Sequence, residues 1–426
     1  MDSKQNVLFD QPIPFVIKQK ALKNWDCIKW KLDDWSQNCR ARFKFRVHHR
    51  TLSSSSSSMM GTQWENKALE YIQASIAELI EHVVDETRSS EKKRRKISKN
   101  LFENYPIDSY CFYSAYNHLE SIDDDETRDT LLNSIDWLDT GLFSNGLESY
   151  PISTTLWIGT NGSQTPCHQD TYGFNFVAQI HGRYLSITFT FETELKLLSA
   201  CLIRKLWVLF PPEDRKNLYP TRIPFEESSV FSKIDFRSID MNRYPNISNA
   251  KPYIIILNPG DLLYVPHHWW HYVENIPDDQ EMISISMNTW IDPYKTVHVD
   301  NHIHECLAQI LFDVFVSKFK EESNDWLNID AELLPANSLI KTMFLLIENR
   351  NSDAQSSHYQ KPENLCVECL KPSKIDELFA IKPIKTVPLD VRDDISDTKL
   401  ATEIIDCILH PDVIKLIADK LKERFQ

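Results

Sequence analysis

Three side chains, His168, Asp170 and His271, constrain the fold of this chain more than any other feature of its sequence. His168 and Asp170 stand two residues apart, so an extended strand would direct both side chains to one face. Residues 260–274 read as a strand, a proline-containing bend and a second strand that carries His271 back. Two imidazoles and one carboxylate form the facial ligand set of a mononuclear non-haem iron(II) centre, which leaves other coordination positions open.

Each half of this triad is weak evidence by itself. A His-x-Asp sequence on a strand is common by chance, and a lone histidine in the aromatic stretch 267–272 is usually a core or rim residue. The context adds weight, because Pro166 precedes the first pair, Gly260 and Asp261 precede the second segment, and apolar residues alternate in both. The sequence therefore predicts a metal site, with ordinary core packing as the alternative.

The pattern of apolar residues predicts the fold class. From about residue 156 to residue 290 apolar residues recur with a period of two, as in β-strands. Short strands divided by glycine and proline indicate two facing sheets, as in the double-stranded β-helix or jelly roll. The predicted class is α+β, with a jelly-roll core over residues 105–295. An N-terminal α/β cap (1–104) and C-terminal helices with a linker (296–426) flank this core.

Helical patterns lie on both sides of the core. Residues 62–84 predict an amphipathic helix after a serine-rich loop at 53–58. Residues 297–320 predict a helix whose apolar stripe either braces the barrel or forms a homodimer face. The polar, proline-containing residues 351–399 predict a mostly irregular linker. The C-terminal helix beyond it is expected to dock back on the protein, with partner binding as the alternative, because an exposed apolar stripe would aggregate.

Composition limits the surroundings of the chain. The 61 acidic and 47 basic side chains give a net charge of -14, which disfavours a nucleic-acid partner without excluding one. Nine scattered cysteines and the lack of a signal-like apolar run predict a reducing compartment, the cytoplasm. The basic cluster at 91–96 leaves the nucleus open, although a solvated helix end is the simpler interpretation. No segment has the pattern of a membrane span.

A series of motifs runs in order through residues 105–293 and identifies a family resemblance. The motifs include Thr165-Pro-Cys-His168-Gln-Asp170, Leu209-Phe-Pro-Pro212, Asn258-Pro-Gly-Asp261 and Trp269-Trp-His271. In this order they resemble the JmjC family of iron(II)- and 2-oxoglutarate-dependent oxygenases. The resemblance implies a cupin-like jelly roll, iron(II) as the cofactor and 2-oxoglutarate as the co-substrate. It also implies that His168, Asp170 and His271 are the metal ligands.

The same resemblance assigns residues to 2-oxoglutarate, a dianion whose remote carboxylate needs a cation and hydroxyl donors. The implied contacts are Lys205, Thr165 and Tyr113 for the remote carboxylate, and Asn175 and Asn288 for the carboxylate beside the metal. For the two asparagines, a structural role at strand edges is an equal alternative. Neighbouring tyrosines of the same segment are substitutes for Tyr113.

One segment departs from the family pattern. Residues 184–204 separate Arg183 from Lys205, which would otherwise be adjacent, and contain neither glycine nor proline, a poor composition for a loop. We predict that this insert is a retained intron or a faulty gene model. The alternative is a genuine hairpin or helix over the barrel mouth, which would put the position of Lys205 in doubt. Transcript reads across the junction distinguish the two, because reads that all contain the insert would exclude an artefact.

Two classes of function follow from the triad and the resemblance. The first is an oxygenase that hydroxylates a protein side chain, with RNA hydroxylation and lysine demethylation as variants of the same chemistry. The second is a non-catalytic protein that keeps the fold and associates with a small heat-shock protein, as part of the resemblance implies. The intact triad favours the enzyme, and the interrupted connection before Lys205 favours the binding protein. The expected partner is accordingly a protein substrate or a small heat-shock protein.

Overall fold

The computed structural model of the chain combines strands and helices, as the predicted α+β class requires. It describes residues 13–18, 21–50, 70–88, 101–140, 152–171, 173–182, 204–276, 283–291, 299–316, 326–328, 333–348, 367–382, 384–385 and 397–425. The predicted serine-rich loop, the basic cluster and all but the last residue of the predicted insert lie outside these ranges. None of the helices within them is long and apolar enough to cross a bilayer.

The elements are numbered here in chain order. The strands are β1 Phe15–Ile17, β2 Arg42–His49, β3 Glu70–Ser75, β4 Tyr110–His118, β5 Thr155–Thr160, β6 Gln164–Asp170, β7 Phe174–His181, β8 Arg204–Phe210, β9 Pro220–Thr221, β10 Ser229–Ser232, β11 Ile239–Asp240, β12 Tyr253–Leu257, β13 Leu262–Val265, β14 Trp270–Ile276, β15 Ile283–Ile291, β16 Val367–Cys369 and β17 Ile384–Lys385. The α-helices are α1 Leu32–Asn38, α2 Ile76–Arg88, α3 Asp125–Asn133, α4 Val299–Val316, α5 Ala336–Glu348, α6 Ile375–Ile381, α7 Asp397–Leu409 and α8 Pro411–Phe425.

Two antiparallel sheets form the core. The larger sheet has the strand order β16-β1-β13-β7-β15-β5-β4-β2-β3, and the smaller has the order β12-β8-β14-β6-β10-β9. Apolar side chains of both sheets form one buried cluster, with Val177 and Leu263 from the larger sheet and Leu209 and Val273 from the smaller. Burying apolar area between two sheets is the main stabilisation of such an architecture. The predicted jelly roll is confirmed, and strands on both sides of residues 105–295 extend its larger sheet.

The predicted strand, bend and strand before His271 are all present. The bend also carries the chain from one sheet to the other, because β13 lies in the larger sheet and β14 in the smaller. Within the bend, the Trp269 amide donates to the Pro266 carbonyl at 3.3 Å. His268 has a φ of 64°, a region that costs a non-glycine residue about 1 kcal/mol or more. Two hydrogen bonds hold this turn: the Gln169 side-chain amide donates to the His268 carbonyl at 2.5 Å, and Nε2 of His268 lies 2.9 Å from the Thr171 carbonyl.

The helix predicted over residues 62–84 is wrong in part. Residues 62–69 lie outside the described ranges, the next six residues form β3, and α2 begins only at Ile76. Ile72 and Ala74 of β3 are buried on the ladder that β3 forms with β2. The apolar spacing fitted a helix, but pairing with β2 determines the conformation of this short stretch.

Helix α2 begins at a reciprocal pair of hydrogen bonds. The Ser75 hydroxyl accepts from the Glu78 amide at 3.3 Å, and the Glu78 carboxylate accepts from the Ser75 amide at 2.8 Å. Because this capping box satisfies exposed helix donors, we expect Ser75→Ala to lower the free energy of unfolding by about 1 kcal/mol. Urea denaturation measures the change. Ser36→Ala is the control, because that hydroxyl bonds only a carbonyl within α1. Equal losses in the two variants would contradict the capping role.

The helix predicted over residues 297–320 is present as α4, with narrower bounds. Its apolar stripe, including Ile303 and Phe312, packs within the chain against α5, α7 and α8. Leu409 and Ile414, on either side of the break between α7 and α8, belong to the same buried cluster. The C-terminal helices therefore dock back on the protein, as expected. The homodimer stays a prediction, with much of its proposed face covered by the chain itself.

The segment predicted as an irregular linker contains regular structure. Strand β16 pairs with β1 at the edge of the larger sheet, and β17 pairs with β11 in parallel. Helix α6 buries Leu378 in the apolar cluster on the outer side of the smaller sheet. These elements are too short to show a period in a sequence window, so the linker prediction was wrong for the described residues 367–382 and 384–385.

Candidate active site

His168, Asp170 and His271 come together on the smaller sheet. The register of β6 and β14 places His271 directly opposite His168, and the two ring centroids lie 4.1 Å apart. Nε2 of His168 is 3.5 Å from Oδ1 of Asp170. One candidate ligand atom from each residue lies within 4.8 Å of the others, and no second group of this kind occurs in the described part of the chain. The arrangement can hold one metal ion.

Backbone carbonyls set the tautomer of both imidazoles. Nδ1 of His168 lies 2.9 Å from the Pro166 carbonyl, and Nδ1 of His271 lies 3.1 Å from the Trp269 carbonyl. A carbonyl can only accept, so each Nδ1 carries a proton, and Nε2 is the ring nitrogen available to a metal. Burial, followed by the nearby His168, lowers the pKa of His271 to about 4, so this ring is neutral at pH 7. Two imidazoles and a carboxylate are donors that fit iron(II).

The triad opens on a cavity of about 1060 Å³. Ligand pockets usually measure about 300–1,000 Å³, so a small dicarboxylate would leave room here for part of a second reactant. All five residues that the family resemblance assigns to 2-oxoglutarate line the cavity: Tyr113, Thr165, Asn175, Lys205 and Asn288. The fold therefore brings the predicted metal ligands and the predicted co-substrate residues to one space.

Lys205 lies in the wall of this cavity although the predicted insert comes directly before it. Arg204 begins β8, and Lys205 pairs with Asn275 of β14 within the regular β8–β14 ladder. The Lys205 ammonium donates to the Ser286 hydroxyl of β15 at 2.5 Å, a bond between the two sheets. Burial lowers the pKa of Lys205 to about 7, because the ammonium has lost its water. An anion that entered the cavity would restore a partner for this charge.

Tyr113 is the tyrosine of β4 that reaches Thr165, since their hydroxyl oxygens lie 3.0 Å apart. Tyr116 has a φ of 55° at an irregularity in the β4–β5 ladder and donates instead to Glu226 at 2.9 Å. Tyr110 stands at the start of the strand. Of the three candidates, Tyr113 is therefore the one whose hydroxyl contacts Thr165.

The two asparagines bind each other. The Asn288 amide donates to Oδ1 of Asn175 at 2.9 Å, and Oδ1 of Asn288 accepts from the Trp157 indole at 2.7 Å. These hydrogen bonds satisfy polar groups of buried strand residues, which is the structural role considered above for the two asparagines. An amide nitrogen carries two protons, so Asn288 keeps a second donor. The structural role and a role in ligand binding are therefore compatible.

Two contacts at the site have no direct signal in the sequence. Ser286 accepts from Lys205, and the Trp290 indole donates to Oδ2 of Asp170 at 3.1 Å. Both residues share the parity of Asn288 on β15, so the period of two would have placed them on the same face as a predicted site residue. Sequence reasoning missed them because it assigned only the asparagine of this strand.

Gly159 of β5 leaves the space that the side chains of Ser163, Asn275 and Tyr113 occupy. A Cβ at this position would lie 3.0 Å from Cδ2 of Tyr113, 2.3 Å from the Ser163 hydroxyl and 2.5 Å from the Asn275 amide. We expect Gly159→Ala to lower the free energy of unfolding by about 1–3 kcal/mol. We also expect it to weaken 2-oxoglutarate binding about tenfold, because the shifted phenol loses a charge-assisted hydrogen bond.

Calorimetric titration of the metal-loaded variant with 2-oxoglutarate, alongside urea denaturation, measures both effects of Gly159→Ala. Tyr113→Phe is the matched comparison, because it removes the hydroxyl without adding an atom. A variant that is less stable but binds 2-oxoglutarate as tightly as the wild-type chain would contradict the link between Gly159 and Tyr113.

The jelly roll with a His-Asp-His cluster at a large cavity places this protein in the cupin-like class. The family model of the cupin-like domain matches residues 4–189 and 199–296, and the chain belongs to this family. The gap between the two matched parts falls inside the predicted insert, residues 184–204. The chain is a JmjC protein similar to the HSPB1-associated proteins.

Three curated relatives show the extent of the similarity. HSPB1-associated protein 1 of Bos taurus is 33% identical over 350 residues, which are 80% of this chain and 62% of that protein. Lysine-specific demethylase 8 of Xenopus tropicalis is 33% identical over 140 residues, which are 33% of this chain and 25% of that protein. Jumonji C domain-containing protein 5 of Drosophila melanogaster is 31% identical over 139 residues, which are 33% of this chain and 27% of that protein. The chain thus spans less than two thirds of each of these relatives.

Proposed function

We propose that this chain is an iron(II)- and 2-oxoglutarate-dependent oxygenase that hydroxylates a protein side chain. The observation that carries the proposal is the convergence of His168, Asp170 and His271 within 4.8 Å, in the wall of a cavity that buried Lys205 also lines. The JmjC fold supports it, because this is a fold of 2-oxoglutarate oxygenases. The net charge of -14 favours a protein substrate over a nucleic acid.

The metal-holding residues have the required donors. When bound, iron(II) and 2-oxoglutarate would supply, together with dioxygen, the oxidation of a substrate C–H bond to an alcohol. One oxygen atom of dioxygen enters the alcohol and the other enters succinate, as 2-oxoglutarate loses carbon dioxide. His168 and His271 would hold the iron through Nε2, since the protonated Nδ1 of each ring faces a carbonyl. Asp170 would add one negative charge. These side chains occupy one side of the ion and leave the cavity side open.

The remaining residues of the cavity would hold 2-oxoglutarate. Lys205, with the hydroxyls of Thr165 and Tyr113, would bind the remote carboxylate by charge-assisted hydrogen bonds. Asn175 and Asn288 would contact the carboxylate beside the metal. The low-dielectric wall around Lys205 strengthens its attraction for an anion and keeps bulk water from competing.

Anaerobic titration of the purified full chain tests the proposal. Iron(II) is added first and 2-oxoglutarate second, and a weak visible charge-transfer band is expected only when both are present. Succinate in place of 2-oxoglutarate is the control ligand, because it keeps the charges but lacks the keto oxygen. A chain that gives no band with iron(II) and 2-oxoglutarate would overturn the proposed function.

The chemistry of the acceptor distinguishes the variants of this function. Mass spectrometry of candidate acceptors incubated with the chain, iron(II), ascorbate and 2-oxoglutarate measures it. Protein hydroxylation adds one oxygen atom to a peptide, RNA hydroxylation adds it to a nucleotide, and lysine demethylation removes a methyl group. Modification of RNA or of methyl-lysine alone would replace the proposed substrate class and leave the oxygenase assignment intact.

A second candidate function rests on a relative. The bovine protein that this chain resembles over 80% of its residues is named for association with HSPB1. We propose that this chain associates with a small heat-shock protein. If the chain turns over no substrate, this association is its function. Size-exclusion chromatography with a purified small heat-shock protein is the test, with His168→Ala as a variant whose association should be unchanged. Separate elution of the two proteins at micromolar concentrations would contradict the association.

For the cellular compartment, we propose the cytoplasm, with the nucleus as the alternative. The described cysteines are all free, including buried Cys27 and Cys167, and this supports a reducing environment. Fluorescence microscopy of the tagged chain measures the distribution. An exclusively nuclear signal would favour the alternative.

A further inference from the structure

We propose that Trp290 is a positioning residue for the candidate metal ligand Asp170. The Trp290 indole donates to Oδ2 of Asp170 at 3.1 Å. The other carboxylate oxygen, Oδ1, lies 3.5 Å from Nε2 of His168 and therefore faces the centre of the triad. Oδ2 is thus bonded to the protein, and Oδ1 is left to bind the ion. The inference rests on the metal site of the proposed function.

Strand β15 brings Trp290 to this place through its period of two. Ser286 accepts from Lys205, Asn288 binds Asn175, and Trp290 is the next residue on the same face. All three line the cavity. Trp290 is 36% exposed, whereas Ser286 and Asn288 are buried, so the indole lies where the cavity meets solvent. The strand therefore contacts the co-substrate residues with its buried part and the metal ligand with its outer part.

A second tryptophan limits the orientations of the Trp290 ring. The rings of Trp157 and Trp290 meet nearly edge to face, with centroids 6.2 Å apart at an interplanar angle of 61°. The Trp157 indole in turn donates to Asn288, two residues before Trp290 on β15. Because Trp157 is held at both its ring and its nitrogen, the direction of the Trp290 N–H toward Asp170 depends on packed neighbours.

This contact has a consequence for the coordination of the metal. A carboxylate can bind an ion through one oxygen or through both. The indole proton occupies Oδ2 of Asp170, which favours binding through Oδ1 alone. A facial triad depends on its open positions, and a second oxygen of Asp170 would occupy one of the positions that 2-oxoglutarate needs. Outer partners of this kind orient a ligand and tune its affinity for the metal.

Cobalt(II) titration of the full chain, followed by visible absorption, tests the proposal. Trp290→Phe keeps an aromatic ring and removes the N–H, and folding should persist because the side chain is only partly covered. We expect the dissociation constant for cobalt(II) to rise about tenfold or more. We also expect the d–d spectrum of the bound ion to change, since the freed Oδ2 alters the coordination. A merely structural role of Trp290 would not move the spectrum.

Trp30→Phe is the matched control, because Trp30 is a half-buried indole that packs on Trp35 in the N-terminal part of the fold. It should leave the cobalt(II) affinity and the spectrum unchanged. A Trp290→Phe variant with the affinity and spectrum of the wild-type chain would overturn this inference alone. A wild-type chain that binds no cobalt(II) would overturn the proposed metal site and this inference with it.

Discussion

Replacing His168 with alanine is expected to abolish the visible band that iron(II) and 2-oxoglutarate produce together in this chain. His168 lies opposite His271 on adjacent strands, and Asp170 follows it on the same face. Without its imidazole, the ion keeps one nitrogen and one carboxylate from the protein. The loss of metal affinity should exceed the roughly 10–100-fold effect typical of an outer partner, since a direct ligand is removed.

His118→Ala is the control for this experiment. His118 lines the same cavity and is exposed, but its ring bonds Thr155 and it is not part of the triad. Its replacement should leave the band in place. This result would show that removing a histidine from the cavity does not by itself abolish the band. An unchanged band in His168→Ala would refute the ligand assignment and the iron-dependent function that depends on it.

Replacing Lys205 with methionine is expected to weaken 2-oxoglutarate binding by about 100-fold or more, because a buried cation that pairs with a carboxylate is lost. Methionine fills a similar volume, so the wall of the cavity should stay packed. The bond to Ser286 is also lost, but its hydroxyl keeps its capacity to bind water or the ligand. Calorimetric titration of the metal-loaded protein measures the affinity. An affinity within about threefold of the wild type would remove Lys205 from the binding site.

The charge of Lys205 also predicts how the affinity depends on pH. Burial lowers the pKa of this ammonium to about 7, so in the free protein it is charged below pH 7 and increasingly neutral above it. Binding of an anion requires the charged form and must take up a proton at higher pH. The affinity for 2-oxoglutarate should therefore be constant below about pH 7 and fall about tenfold per pH unit above it.

Lys205→Arg is the control for the pH profile, because a guanidinium stays charged throughout this range. Its absolute affinity will differ, since the planar group fits the wall differently, but its profile between about pH 7 and pH 9 should be flat. A flat profile in the wild-type chain would contradict the proposed protonation of Lys205 on binding.

The strands that carry the site could be predicted from local patterns. The alternations around His168, along β7 and along β15 all correspond to strands of the structure. Alternation of side chains across a strand is a property of the backbone itself, so it needs no knowledge of the partner strand. Family resemblance, rather than any pattern, singled out Lys205 and Tyr113, and the fold places both in the cavity.

The predictions that failed depended on distant partners. The stretch containing Ile72 and Ala74 has helical spacing but becomes β3, because β2 offers a ladder beside it. The polar segment near Leu378 reads as a linker but forms β16 and α6 on surfaces that other strands provide. In both places, contacts with distant strands decide the structure of a short segment, because its own propensity is weak.

The sequence by itself determined the donor atoms and which of them share a strand face, because both follow from residue type and the two-residue period. Only the tertiary structure decided that β13 and β14 lie in different sheets, that the Trp290 indole meets Oδ2 of Asp170, and that Gly159 leaves room for Tyr113. The contacts of Trp290 and Gly159 join segments far apart in the chain. Their distances depend on how two whole sheets pack, which no local pattern of residues encodes.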